Sequence, residues 1–191
     1  KSMYKVPSGI SNKHLHVSER DLKILFGENH ELTCKKMLKQ PGQFACEETV
    51  DLAGPKGTLK RVRVLGPVRP ETQVELSLTD ARALGITAPV RESGKLEGTP
   101  GLTLIGPEGT VELDHGVIIA LRHVHLSDEE AAEAGVSDKQ MIRVKVEGER
   151  GLVFDNVLVR AGKAHSAEFH LDTDEGNAAG LDNGVMCELL P

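Results

Sequence analysis

The chain has 191 residues, 39% of them apolar and 27% charged, a composition that suits one large globular domain or two small ones. It contains no Trp, one Tyr and four Phe, which argues against an aromatic stacking platform for single-stranded nucleic acid. A net charge of −6 argues against nucleic-acid and membrane partners, and no apolar run approaches the roughly 20 residues of a membrane-spanning helix.

Local patterns along the chain predict short helices and β-hairpins. Four segments begin with Ser, Thr or Asp near an acidic residue and end at Gly, as capped two-turn helices do. In chain order they read SERDLKILFG, LTDARALG, LSDEEAAEAG and DTDEGNAAG. Glycine-bounded turns between alternating apolar runs predict hairpins at residues 54–57, 106–109 and 148–151, and the composition of residues 91–100 suggests a linker. The predicted fold class is therefore mainly β (α+β).

A module recurs four times around the predicted helices. In each copy a His or Glu lies ten or eleven residues before the terminal glycine; these residues are His16, Glu75, His125 and His170. The residues two positions earlier are His14, Gln73, His123 and Glu168. An internal repeat serves packing, function or both, and the glycines and helix caps account for the packing. The His and Glu residues therefore indicate a function.

The two His-x-His copies predict metal binding. Residues i and i+2 of an extended segment point to one face, so the two imidazoles of each pair converge. Imidazole nitrogen and carboxylate oxygen are both zinc ligands. Each half of the chain offers one His-x-His pair and one single ligand, which predicts two sites with three protein ligands each. Three protein ligands leave coordination positions open, as in catalytic zinc sites.

Two arginines precede the single ligands. Arg69 lies six residues before Glu75, and Arg160 lies ten residues before His170. A guanidinium near a metal pair suits a phosphate group, because its fork matches the phosphate oxygens, while a surface ion pair is an equally good interpretation. The remaining histidines fall outside the repeat and have no predicted role: His30, His115 and His165.

The residues that carry these features resemble a known family. The segments VPSGISNKHLHVSERDLKILFG, VRVLGPVRPETQVELSLTDARALGI, LRHVHLS and AEFHLDTDEGNAAG are similar to PduL-type phosphotransacylases (phosphate propanoyltransferases), and the resemblance covers essentially the whole chain. It implies two small β-barrels that are capped by short helices and related by a pseudo-twofold repeat. It also implies that the barrels exchange strands, so that residues 13–120 form a central barrel and residues 1–12 join residues 121–191 in the second.

The resemblance further implies a dinuclear zinc site, with two Zn²⁺ per chain. One zinc would have the CoA sulfur as a further ligand and would be held by His14, His16 and Glu75. The other would be completed by water and would be held by His123, His125 and His170. Arg69 would be the catalytic, phosphate-binding arginine.

The implied reaction interconverts a short-chain acyl-CoA (propanoyl or acetyl) plus phosphate with acyl phosphate plus CoA, by direct attack of phosphate on the thioester. The implied partners are these small molecules and a second copy of the chain in a homodimer. A cytoplasmic location is expected, also because the three cysteines form no Cys-x-x-Cys pair. Family members of bacterial microcompartments, which serve propanediol degradation, carry an N-terminal extension. If a native extension was removed here, the expected location is the microcompartment lumen, with shell association.

Two other functions fit the pattern less well. A cupin-like metal-dependent oxygenase would use His123, His125 and Glu129, but Glu129 falls at a predicted helix start instead of in a strand. Such an enzyme would bind iron and consume oxygen. A non-enzymatic zinc-binding structural module would have closed four-ligand sites, and metal removal would unfold it with no CoA-dependent activity to lose.

Overall fold

Alternating apolar residues and short glycine turns produce a chain of many short strands and few helices. The computed structural model describes residues 3–191, which form fifteen strands and four helices. The strands are β1 Lys5–Ser11, β2 His14–His16, β3 Cys34–Met37, β4 Phe44–Ala53, β5 Thr58–Gly66, β6 Gln73–Glu75, β7 Val90–Arg91, β8 Thr103–Ile105, β9 Thr110–Glu112, β10 Val117–Ala120, β11 His123–Leu126, β12 Met141–Val146, β13 Leu152–Ala161, β14 Glu168–Asp172 and β15 Met186–Leu190. The helices are α1 Glu19–Phe26, α2 Leu78–Leu84, α3 Asp128–Ala134 and α4 Thr173–Ala179. The predicted mainly β fold with short helices is confirmed.

One compact unit contains the described residues up to Asn12 together with Leu121–Pro191. Its six strands close into a barrel in the order β1-β14-β11-β13-β12-β15. Strand β1 pairs in parallel with β14, where Gly9 lies opposite His170, and antiparallel with β15. The barrel encloses an apolar core that includes Val6, Val124, Leu126, Val144, Val159, Phe169 and Leu189.

The other compact unit is Lys13–Ala120. Its sheet curls into a half-barrel in the order β7-β10-β6-β2-β5-β4-β8-β9, with β3 paired to β4 beside this path. Its core includes Leu15, Val17, Leu25, Val64, Val74, Leu84 and Leu104. The predicted linker at residues 91–100 is wrong, because this segment lies inside the unit and buries Leu96 and Thr99.

Each helix begins at a polar cap, as the sequence predicts, but the cap of α2 is Ser77, one residue before the predicted segment LTDARALG. The side chain of the N-cap residue accepts a hydrogen bond from a backbone N–H of the first turn in all four helices; the caps are Ser18, Ser77, Ser127 and Asp172. Ser127 forms a capping box with Glu130, and Asp172 forms a second one with Glu175. No helix among the described residues is long and apolar enough to cross a membrane.

The three predicted hairpins are present, and two of their turns contact helix ends. The N–H of Lys56 donates to the carbonyl of Leu84 at 3.0 Å, and the N–H of Glu108 donates to the carbonyl of Leu25 at 3.0 Å. These bonds satisfy carbonyl groups that the last helical turn leaves without partners. A Cβ atom at Gly109 would lie 2.6 Å from the carbonyl oxygen of Ile24, so this turn requires glycine for close approach.

Candidate functional site

Four of the six predicted metal ligands lie two residues before the N-cap of a helix. The pairs are His16 with Ser18, Glu75 with Ser77, His125 with Ser127, and His170 with Asp172. The ten-residue and eleven-residue spacings to the terminal glycine differ because α1 has eight residues and the other helices have seven. Each helix therefore begins at a constant distance from the ligand that ends the preceding strand or lies near its end.

Antiparallel pairing brings the ligands of each unit together. In the half-barrel unit, His14 lies opposite Glu75 on strands β2 and β6. In the barrel unit, His123 lies opposite His170 on strands β11 and β14. Directly opposed residues of an antiparallel pair point to the same face of the sheet, so the register places three candidate ligands on one face of each unit.

The first cluster consists of His14, His16 and Glu75, whose potential ligand atoms lie within 4.8 Å of one another. Oε2 of Glu75 lies 3.3 Å from Nε2 of His14 and 3.3 Å from Nε2 of His16. Two ligand atoms of a tetrahedral zinc ion with bonds of about 2.0–2.1 Å lie about 3.3–3.4 Å apart. The three side chains, which are at most 14% exposed, therefore fit a zinc ion.

The electrostatics of the first cluster favour a cation. Burial would raise the pKa of Glu75, but the charges and hydrogen bonds of His14 and His16 outweigh it and hold the pKa well below its ordinary value. Burial lowers the pKa of His16, against the opposing effect of Glu75. An ionised carboxylate and a neutral imidazole are the protonation states that bind a metal. The buried Nδ1 of His16 has no hydrogen-bond partner among the described residues.

The second cluster consists of His123, His125 and His170, again with potential ligand atoms within 4.8 Å of one another. Nδ1 of His123 lies 2.8 Å from the carbonyl oxygen of Leu121, and because a carbonyl only accepts, this nitrogen carries the proton. A neutral His123 therefore presents an unprotonated Nε2, which lies 3.0 Å from Nε2 of His125. This nitrogen pair is suited to share a cation.

Two further side chains support the second cluster. His165 stacks on His125 with ring centroids 4.9 Å apart, and the two Nδ1 atoms lie 2.8 Å apart. Glu168 places Oε1 2.5 Å from Nε2 of His170. A Cβ atom at Gly9 would lie 2.6 Å from Oε2 of Glu168, so the absence of a side chain there leaves room for this carboxylate.

Burial and neighbouring charge favour the neutral form of His125 in the second cluster. Burial is the main cause that lowers the pKa of His125, and positive charge on His123 and His170 adds to it. The charge of Arg160, which lies opposite His125 in the parallel β11–β13 pair, lowers this pKa further. A neutral imidazole has a free lone pair for a metal at neutral pH. Arg160 is therefore part of the surroundings of the cluster.

Arg69 lies beside the first cluster. Its N–H donates to the carbonyl of Val17 at 2.9 Å, and its Nη1 donates to Oγ of Ser93 at 3.3 Å. Its positive charge contributes to the lowered pKa of His16. Arg69 also lines an open groove of about 920 Å³ together with Arg20 and Thr72. Arg69 thus lies close to the candidate metal-binding side chains and can also contact a molecule that binds in the groove.

Comparison with known proteins identifies the family of this chain. A family model described as phosphate propanoyltransferase matches residues 7–182. A phosphate propanoyltransferase of Thermotoga maritima is 56% identical over 183 residues, which are 95% of this chain and 87% of that protein. A phosphate propanoyltransferase of Rhodopseudomonas palustris is 53% identical over 180 residues, which are 94% of this chain and 80% of that protein. One of Salmonella typhimurium is 52% identical over 179 residues, which are 93% of this chain and 85% of that protein. The chain belongs to the phosphate propanoyltransferase family.

Membership of this family confirms the resemblance seen in the sequence and makes the chain an acyltransferase. The two clusters are the candidate metal sites of this family member. The cupin-like alternative loses its third ligand, because Glu129 is exposed in the first turn of α3.

Three side chains that contact the two clusters have no role predicted from the sequence. Gln73 and Glu168 occupy the repeat position two residues before a ligand, and each contacts that ligand, at 2.7 Å from Glu75 and 2.5 Å from His170. The repeat itself is the signal that marks them. His165 has no such signal, because only tertiary packing brings it to His125.

Proposed function

We propose that this chain interconverts a short-chain acyl-CoA plus phosphate with an acyl phosphate plus CoA. In the forward direction a phosphate oxygen forms a bond to the acyl carbon, and the bond from that carbon to the CoA sulfur breaks. The sulfur leaves as a thiolate with the bonding electron pair. Phosphate attacks the thioester directly, so no acyl-enzyme is formed.

The observation that carries this proposal is a pair of three-ligand clusters in a member of the phosphate propanoyltransferase family. His14, His16 and Glu75 would hold one zinc ion, and the second would be held by His123, His125 and His170. Bound zinc supplies Lewis acidity and stabilises a thiolate, which is a soft ligand and here the leaving group. In each cluster the protein offers three ligands, which leaves room for a substrate ligand.

The protein's own residues bind and orient the substrates in this proposal. The Arg69 guanidinium binds phosphate through its fork and offsets negative charge that develops in the tetrahedral transition state. The depressed pKa values favour an ionised Glu75 carboxylate and a neutral His125 imidazole, the forms in which these two side chains bind a metal. Holding phosphate and thioester at fixed positions lowers the entropic part of the barrier.

The central test measures phosphate-dependent release of CoA from propanoyl-CoA and acetyl-CoA. We expect activity that a strong chelator abolishes and that added Zn²⁺ restores, because both clusters would lose their metal. His14→Ala and His123→Ala should each remove one zinc from the metal content of the purified chain. Full activity in a metal-free chain that has kept its fold would contradict the zinc mechanism.

Direct attack has its own kinetic signature. An acyl-enzyme would exchange labelled CoA into acyl-CoA in the absence of phosphate, whereas direct attack needs phosphate for any exchange. We expect no exchange until phosphate is added. The matched variant Arg69→Lys, which keeps the charge but loses the fork, should raise KM for phosphate. Rapid exchange without phosphate would exclude the direct mechanism.

The choice of acyl group, the assembly and the location are proposed from the family resemblance. Propanoyl and acetyl differ by one methylene, which a pocket discriminates by only about 1–3 kcal/mol, so both substrates belong in the assay. We propose that the chain forms a homodimer. We also propose that it lies in the cytoplasm or, in contact with the shell, in a microcompartment lumen. Sedimentation analysis and co-purification with shell proteins test these two points.

A further inference from the structure

A buried amide contacts the carboxylate of the first cluster. Gln73 is 2% exposed, and its Nε2 donates to Oε2 of Glu75 at 2.7 Å. Its Oε1 accepts a hydrogen bond from the backbone N–H of Gly94 at 2.9 Å. A backbone N–H only donates, so this contact fixes which end of the amide is oxygen and directs the NH₂ group at the carboxylate.

The same amide contacts a second side chain that leads to Arg69. Nε2 of Gln73 also donates to Oγ of Ser93 at 2.9 Å, and Nη1 of Arg69 donates to that oxygen at 3.3 Å. The two N–H groups of the amide are thereby divided between Glu75 and Ser93. One continuous set of hydrogen bonds joins a candidate zinc ligand to the candidate phosphate-binding arginine.

We propose that Gln73 and Ser93 are positioning residues that hold Glu75 and Arg69 in one fixed arrangement. The amide orients the carboxylate oxygen that faces His14 and His16, and the Ser93 hydroxyl limits the rotation of the Arg69 guanidinium. Both of the groups that fix this arrangement come from residues 91–100, whose composition suggests a linker. They are the Gly94 N–H, which holds the amide oxygen of Gln73, and the Ser93 hydroxyl. This inference rests on the proposed roles of Glu75 and Arg69.

The chemistry of position 73 supports this role. The equivalent residues of the His-x-His modules are His14 and His123, which are ligands themselves. Gln73 has instead an uncharged donor, which can hydrogen-bond a ligating carboxylate without adding a second negative charge beside it. Groups that hydrogen-bond a metal ligand orient it and typically change metal affinity by about 10–100-fold.

The first experiment measures zinc affinity by competition with a chelator in the full chain. The binding step that His14→Ala removes identifies the first cluster. Gln73→Met keeps the length of the side chain but removes its donors, and we expect it to weaken that step by about 10–100-fold. Gln40→Met, which changes another buried glutamine of the same unit, is the matched control and should leave the step unchanged.

The second experiment separates positioning from folding. Ser93 is only partly buried, so Ser93→Ala should fold normally. We expect this variant to raise KM for phosphate about three- to ten-fold, as for loss of one typical intramolecular hydrogen bond, with zinc affinity close to that of the parent. Ser93→Thr restores the hydroxyl and should restore KM.

The outcomes distinguish this inference from the function on which it rests. If the parent chain neither binds zinc nor turns over acyl-CoA, the proposed function fails. If the parent does both, while Gln73→Met keeps its zinc affinity and Ser93→Ala keeps its KM for phosphate, the positioning role is overturned. Equal weakening of zinc binding by Gln40→Met would also overturn it, because the effect would then be one of general stability.

Discussion

At the scale of single residues, burial sets the chemistry of the three cysteines. Cys46 and Cys187 are buried, whereas Cys34 is exposed on β3. Burial raises the pKa of the Cys46 thiol to about 12, and it raises that of Cys187 to about 11. Because the thiolate is the reactive form, a raised pKa makes both thiols inert at neutral pH.

We therefore expect a thiol reagent at pH 8 to label one cysteine of the native chain rapidly. At that pH only about one in 10,000 of the Cys46 thiols and one in 1,000 of the Cys187 thiols would be ionised. Mass spectrometry should find the label on Cys34, and Cys34→Ser should leave the native chain unlabelled. In denaturant all three cysteines should react. Rapid native labelling of Cys187 would refute this assignment.

At the scale of elements, the helix N-caps determine where the ligand strands end. Each cap turns the chain from extended to helical two residues after a ligand, so the cap and the cluster share a short rigid segment. The serine or aspartate side chain satisfies an N–H group that the first turn leaves open. Helix stability and ligand position are coupled through this segment.

Replacing a cap should lower stability by a defined amount. Ser127→Ala removes the acceptor for the N–H of Glu130 and should lower the free energy of unfolding by about 1 kcal/mol. Ser127→Asp keeps an acceptor and should retain most of that stability. Ser137→Ala, in an exposed loop, is the control. Denaturant titration measures all three, and equal effects of the first and last would contradict the role of the cap.

Local structure could be read from the sequence more completely than the surroundings of the ligands. Caps, terminal glycines and hairpin turns depend on residues a few positions apart, and the sequence predicts them correctly except for the α2 cap, which is Ser77. The contact of His165 with His125 depends on packing between distant segments, and no local pattern encodes it. Residues 91–100 have the polar, glycine-containing composition of a linker because they form a loop, yet this loop folds back to place Ser93 against Gln73.

At the scale of the whole molecule, the chain begins in the barrel unit, passes through Lys13–Ala120 and returns at Leu121. Strand β1 lies between β14 and β15, so the barrel depends on a segment that comes before Lys13–Ala120 in the chain. Val6 of this strand is fully buried in the barrel core. Substitution of such a buried side chain removes packing from the barrel core.

Val6→Ala should therefore destabilise the protein. Loss of two buried methyl groups should lower the free energy of unfolding of the barrel unit by about 1–3 kcal/mol. Val90→Ala removes the same atoms from a side chain that is 56% exposed, and should change stability by less than about 0.5 kcal/mol. Similar effects of the two substitutions in denaturant titrations would show that β1 is not part of the stable barrel.

The position of β1 also has a consequence for biosynthesis. The ribosome makes this strand well before its barrel partners, Glu168–Asp172 and Met186–Leu190. At roughly 5–20 residues per second, about 8–30 s pass between synthesis of Ser11 and of Glu168. Throughout that time the strand has no barrel partner, and its backbone groups are open to pairing with other chains. Barrel closure can therefore occur only after Met186–Leu190 has been synthesised, and the nascent chain is exposed to aggregation until then.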